Sequence, residues 1–395
     1  MRAGLQTKYV SDKTSISELL TIADALAADI LAEAAATDQT DSFPAETFKK
    51  FAETGLLKTV FPKRYGGDGL GIESATTGEL LNLLKTFGYG NLVVGRVYEG
   101  HFNAAQLINE YGTEKQIERL AIDAVREKQI FGVWNTEAGD GVKIFPHGDG
   151  KFRLAGAKTF ATGVEYVNRP IVTGKLPDGG WQMFVVPVET VETKIDDSFW
   201  RPIGMQSSRS YRVDFTDVEI TENEIVGAPD DYYRQPFFSG GAIRFAAVQL
   251  GAAELLFDLT RKFLREINRT DDAFQQMRLG EMAIAIESGN LFLKKSAEIF
   301  DDYLRDQKPE KIGKILSYAG MMRTAVEQIC QDAMLRATRS IGSRGLLKPY
   351  HFERVIRDLT MYLRQAAPDA TLTGIGRYVL ESDAPNVHLW RNDDE

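Results

Sequence analysis

The sequence changes rhythm once, and that change limits the architectures open to it. From about Gln129 to Glu219 apolar residues follow a short alternating pattern, while long helical patterns lie on both sides. Ile130 to Trp134, Phe152 to Leu154, Pro170 to Thr173, Trp181 to Val188, Glu192 to Ile195 and Tyr211 to Phe215 read as strands punctuated by Gly and Asp. So many short strands in so short a stretch suggest a small barrel or sandwich. A β-module held between helical arms implies a cleft where they meet.

The arms are patterned as helices. Ser15-Ile16-Ser17-Glu18 reads as a capping box, and apolar residues from Leu19 to Ala34 then recur at helical spacing. Ser42 is the expected cap of a second helix that ends at Gly55. Helices are expected over roughly 73–87, 92–111 and 113–127, with Thr113 capping the last. After Asn223 the segments 242–265, 274–306, 309–340 and 352–363 suggest an antiparallel bundle, and a last helix is expected over 369–380. The fold class is therefore α+β, mainly helical. Three domains are expected: 1–128 helical, 129–222 a β-barrel or sandwich, and 223–395 a C-terminal antiparallel four-helix bundle.

Composition excludes several functions. The net charge of −9 is spread along the chain, and no basic cluster with interleaved aromatics points to nucleic acid. Any anionic ligand must be held by local Arg and Lys against that charge. One cysteine, Cys330, permits no intramolecular disulfide, and four histidines make a Cys/His metal cluster unexpected. The N-terminal residues lack an apolar signal-type segment, and no run approaches the ~20 residues that span a bilayer. The expectation is a cytoplasmic protein with no membrane or metal partner.

Two loops in the β-module carry polar chemistry. In Gly156 to Gly163, alternation places Lys158, Phe160 and Thr162 on one face, a surface suited to a planar aromatic ligand. The plain alternative is an ordinary hairpin with Phe160 in the core. In Asn135 to Gly141, the glycines permit close backbone approach and Thr136 can bond a polar ring edge, while Glu137 can equally be a surface carboxylate. A third segment, Trp200 to Ile220, runs a glycine-containing polar loop into an alternating strand.

Taken in order, these segments resemble the acyl-CoA dehydrogenase superfamily. The resemblance rests on Thr136-Glu137-x-Gly139, Gly156-x-Lys158-x-Phe160-x-Thr162, and Gly204-Met205 followed by Val213-x-Phe215-x-Asp217-Val218. Phe43-Pro44-x-Glu46, Pro62-x-x-Tyr65-Gly66-Gly67-x-Gly69, His101 and Tyr111 to Gln116 support it in the first third. Gly342-Ser343-Arg344-Gly345 and Glu353-Arg354-x-x-Arg357-Asp358 do so in the last. The resemblance implies FAD between the β-domain and the C-terminal bundle. Trp134, Thr136, Gly141, Phe160 and Thr162 would contact the flavin. Gly342, Ser343 and Gly345 would approach the FAD of a neighbouring subunit, which implies a homodimer or homotetramer. Arg244 would face substrate, an acyl thioester or another small molecule.

The sequence departs from the family at three places. The family's catalytic Glu would fall at Ala366, and the alternative base position just before Arg244 holds Ile243. Asp369 is the nearby substitute, although an acidic residue there also suits the first turn of a helix. Gly241 stands where a CoA-associated Asp is common. The Arg-x-x-Phe-Gly element that holds FAD phosphate is missing after Arg265, and Arg265 or Arg269 could supply that charge. The first expectation is thus a flavin dehydrogenase of acyl thioesters with Asp369 as base. A flavin-dependent monooxygenase of the same fold, which needs no α-proton base, is the second. A catalytically silent ligand-binding or scaffold protein is the third.

Overall fold

A computed structural model describes residues 15–73, 75–364 and 368–391. The N-terminal part contains α1 (Ile16–Thr40), α2 (Ala45–Thr54), α3 (Thr77–Gly90), α4 (Leu92–Tyr111) and α5 (Glu114–Val125). The central part contains β1 (Phe131–Trp134), β2 (Lys143–Gly148), β3 (Lys151–Ala155), β4 (Ala157–Ala161), β5 (Arg169–Lys175), β6 (Trp181–Val185), β7 (Lys194–Asp196), β8 (Tyr211–Asp214), β9 (Glu219–Thr221) and β10 (Ile225–Val226). The C-terminal part contains α6 (Ala242–Glu266), α7 (Ala273–Asp306), α8 (Ile312–Gly345), α9 (Phe352–Tyr362), α10 (Pro368–Glu381) and α11 (Asn386–Leu389). No helix among the described residues is long and apolar enough to cross a membrane.

Local signals set most helix starts. Ser15 Oγ accepts the Glu18 amide at 3.2 Å, and the Glu18 carboxylate accepts the Ser15 amide at 2.6 Å. Thr113 and Gln116 repeat that box at α5. The expected Ser42 cap does not form: Ser42 pairs with Thr40 instead, at 2.8 Å. The start of α2 is held from outside, by Glu33 of α1, whose carboxylate accepts the amides of Glu46 at 3.1 Å and Thr47 at 3.0 Å. A carboxylate against helix N-terminal amides is favourable whichever part of the chain supplies it.

The strands form two sheets. The larger runs β10-β6-β5-β2-β3-β9, with β1 parallel to β5; the smaller is β4-β8-β7. One continuous core joins these sheets to the helices. In the bundle, α6, α7 and α8 pack on one another, and α3 from the N-terminal half packs against α6 and α7. The α3–α6 contact is backbone to backbone. A Cβ on Gly88 would overlap the Val248 carbonyl, and one on Gly251 would overlap the Lys85 carbonyl.

His101 joins α4 to the β-part. Its Nδ1 accepts the Phe131 amide at 2.9 Å, and Nε2 donates to the Leu57 carbonyl at 2.8 Å, which fixes the neutral tautomer. Burial depresses its pKa to about 4. An unfolded His titrates near 6.5, so the unfolded chain binds the extra proton first as pH falls. Stability from this group is therefore full above about pH 6.5 and is lost towards pH 4. Urea midpoints of wild type and His101→Gln should diverge accordingly: wild type loses about 2 kcal/mol more than the variant between about pH 7 and 5. Parallel pH profiles would remove this role.

Candidate active site

The first polar loop is shaped by one buried cation. Lys158 on β4 is fully buried, and its ammonium donates to Asn135 O at 3.0 Å, Glu137 Oε2 at 2.6 Å and Thr173 Oγ1 at 3.0 Å. The Trp181 ring lies 5.4 Å from the same nitrogen. Burial pushes the Lys158 pKa down, and the Glu137 hydrogen bond and charge oppose that. The loop is also zipped to β4: the Thr159 amide donates to Thr136 O at 2.8 Å, and the Ala157 amide to Asp140 O at 2.9 Å. A Cβ on Gly141 would overlap the Glu137 carboxylate, so glycine there lets Glu137 fold over the ammonium.

Strict alternation along β4 does not survive. The β4–β8 register shifts between Lys158 and Ala161, and Phe160 adopts φ 53°. That bulge turns Lys158 inward and aims Phe160 outward. Phe160 is 45% exposed, with the edges of Phe199 and Trp200 at 5.3 and 5.8 Å between ring centroids. Trp134 Nε1 donates to Thr162 O at 2.9 Å, and Thr162 Oγ1 pairs with Ser210 Oγ at 3.0 Å. A large uncovered aromatic beside hydroxyls is a surface that fits a planar heteroaromatic ring such as flavin. Trp134, Thr136, Gly141, Phe160 and Thr162 are thus gathered at one edge of the β-part.

A second cluster lies where α4, α6, α9 and the turn at Tyr232 converge. Glu99 is buried on α4; its Oε2 pairs with Arg96, its Oε1 accepts Asn103 Nδ2 at 2.6 Å, and the Tyr362 hydroxyl lies 3.4 Å from Oε2. Arg244 on α6 is buried opposite, with Nη1 on Gln106 Oε1 at 3.0 Å and its guanidinium over the Phe102 ring at 5.1 Å. Burial lowers the Arg244 pKa to about 10, against the pull of Glu99 and Tyr232. A Cβ on Gly241 would overlap Arg244 Nη2, so Arg244 itself fills the space where the family's Asp would stand. Arg96, Glu99, Tyr232 and Tyr362 were not singled out by the sequence. Two charges within the apolar run Leu92 to Ile108 were the available signal.

Other expected residues lie apart. Asp369 is exposed in the first turn of α10, and its side chain makes no hydrogen bond or ion pair among the described residues. Ala366 lies outside the described residues. Ile243 is buried beside Arg244. Arg265 is exposed in the last turn of α6. Gly342 interrupts α8 with φ 58° and ψ −163°, a conformation open essentially to glycine. Gly342 and Ser343 are exposed, and Gly345 is buried.

Known proteins share this fold. Residues 18–128 match the family model "Acyl-CoA dehydrogenase, N-terminal domain", and residues 243–366 match "Acyl-CoA dehydrogenase, C-terminal domain". A probable acyl-CoA dehydrogenase of Bacillus subtilis, YngJ, is 26% identical over 350 residues, covering 84% of this chain and 88% of the relative. A dibenzothiophene monooxygenase of Rhodococcus erythropolis is 22% identical over 362 residues, covering 84% and 86%. The FMN-bound crystal structure of TdsC from Paenibacillus sp. A11-2 superposes with a TM-score of 0.84 at 18% identity, covering 94% of this chain and 99% of the other. The chain belongs to the acyl-CoA dehydrogenase superfamily and is a flavoenzyme of that fold.

The Lys158 pin gives a direct test of the flavin-facing edge. Lys158→Met keeps the packing stem but leaves Glu137 and Asn135 without their donor. Flavin affinity should fall roughly tenfold or more, about 1.4 kcal/mol, with far-ultraviolet dichroism unchanged. Unaltered flavin affinity in a folded variant would separate this loop from the cofactor.

Proposed function

We propose that the protein is a flavin-dependent monooxygenase acting on a small molecule. The missing proton-abstracting base carries this reading. Removing an α-proton needs a free carboxylate in a dry pocket. The two usual positions hold Ala366 and Ile243, and Asp369 is exposed to solvent. Glu99 is buried, but Arg96, Asn103 and Tyr362 occupy its two oxygens. With Gly241 in place of the Asp and Arg244 packed against it, support for a CoA tail there is also weak.

Reduced flavin would supply two electrons, so that dioxygen gives one atom to the substrate and leaves the other as water. The chain's own residues would hold and enclose the reaction. Trp134, Thr136, Gly141, Phe160 and Thr162 would seat the ring. Arg265 would meet phosphate, and Gly342, Ser343 and Gly345 would approach the flavin of a neighbouring subunit. FMN suits the altered phosphate side better than FAD, in keeping with the FMN-bound TdsC structure. The experiment supplies reduced FMN from a reductase under isotopically labelled dioxygen, with a panel of small substrates. One labelled oxygen atom in a product is expected. A product lacking two hydrogens and carrying no label would replace this reading with dehydrogenation of an acyl thioester.

Self-association is part of the same proposal. Helix α7 leaves Phe274, Met277, Ile284 and Leu291 exposed, Ile284 by 71%, with the last three spaced by sevens. Such a stripe suits a second copy of the chain. Sedimentation velocity should find a homodimer or homotetramer in wild type and a smaller species for Ile284→Asp. A monomeric wild type would contradict it.

A further inference from the structure

The Arg244 cluster holds more positive charge than its own residues neutralise. Two guanidinium groups, Arg96 and Arg244, face one carboxylate, Glu99. That carboxylate is spent on Arg96, Asn103 and Tyr362. Arg244 makes no ion pair among the described residues, and its buried Nε has no hydrogen-bond partner there. Leaving a buried charge unpaired is strongly destabilising, so a fold with no use for this cation has good reason to lose it.

The same cluster is reachable. Arg96 lies on α4 near Tyr232 and Tyr362, and 29% of its side chain is accessible. Its only hydrogen bond among the described residues is to Glu99, which leaves the remaining N–H groups available. Tyr232 is half-buried, with its ring against Phe238 at 5.4 Å. Its hydroxyl has no hydrogen-bond partner among the described residues. These two accessible side chains beside the buried Arg244 mark an opening at the junction of α4 and α6, read here as the mouth of a cleft. The unused groups of Arg96 and Arg244 are donors only, the Tyr232 hydroxyl can donate, and Asn103 Oδ1 is a buried acceptor without a partner among the described residues.

We infer that this cleft recognises a small organic anion, a carboxylate or a sulfur oxyanion, through Arg244, Arg96 and Tyr232. A planar carboxylate or a tetrahedral sulfur oxyanion can accept from two guanidinium groups and a phenol together. The ligand's charge would balance the excess cation. The Phe102 ring under Arg244 leaves the guanidinium plane backed by an aromatic face, so the anion must approach from the cleft. Arg244 and Arg96 are binding groups in this assignment, and Glu99 is a positioning residue that orients Arg96.

The inference rests on the proposed function for placing substrate in this cleft. Its test reads binding without turnover, so the two can fail separately. Calorimetric titrations of the flavin-loaded protein would pair each anion with a neutral counterpart: acetate with acetamide, methanesulfonate with dimethyl sulfone, benzoate with benzamide. At least one anion should bind roughly tenfold or more tightly than its partner. Arg244→Met and Arg96→Gln should each erase most of that preference while leaving the neutral ligand's affinity in place. If Arg244→Met does not fold, Arg96→Gln, on a partly accessible side chain, decides alone. No preference in wild type, or a preference kept by every folded variant, overturns the assignment. Anion binding without oxygen transfer would count against the monooxygenase and leave the anion site standing.

Discussion

The backbone contact between α3 and α6 sets how the N-terminal half meets the C-terminal bundle. Gly88 and Gly251 each lie where a Cβ would enter the opposite helix's carbonyls, so the two helices approach as closely as main chains allow. A single residue, Asn91, separates α3 from α4 and caps α4, which inherits that placement. Arg96 and Glu99 on α4 are thereby brought to Arg244 on α6. The N-terminal half and the bundle are joined at this contact, and the charged cluster is one consequence.

The β-part is fixed to both helical parts by buried polar links. His101 holds the start of β1 through the Phe131 amide. On the other side, Gly204 packs on the Arg357 carbonyl and the Met205 amide donates to Asp358 at 2.6 Å. Burial raises the Asp358 pKa to about 6, with Arg354 pulling the other way. Its contribution has the opposite sign to that of His101: stability falls as pH rises from about 4 towards 6. These links tie the β-part to α4 on one side and to α9 on the other. One continuous core joins the β-part to both helical parts.

Much of the fold was legible because its signals are local. The capping boxes at Ser15 and Thr113, the Gly55 stop and the long bundle helices all depend on residues within a few positions of each other. The Ser42 cap failed because its substitute, Glu33, lies on another helix. The β4 alternation failed because a bulge at Phe160 spends one residue off the ladder, and Phe160 is an aromatic at positive φ that no propensity suggests. The proposed site was legible only in part. The family motifs marked Thr136, Phe160 and Thr162, but Arg96, Glu99, Tyr232 and Tyr362 belong to no local pattern and meet only through tertiary packing. Asp369 matched the base by residue type alone, and its exposure on α10 is a matter of where that helix sits.

Oxygen chemistry without an α-proton base is the central claim, and an anaerobic titration bears on it most directly. Flavin-loaded protein would be mixed, without oxygen, with short-, medium- and long-chain acyl thioesters, and the visible flavin absorbance followed. A dehydrogenase bleaches its oxidised flavin on a good substrate. Here the absorbance should stay unchanged across the series. Bleaching by any acyl thioester, with release of the α,β-unsaturated product, would contradict the claim and return Asp369 or another group to the role of base.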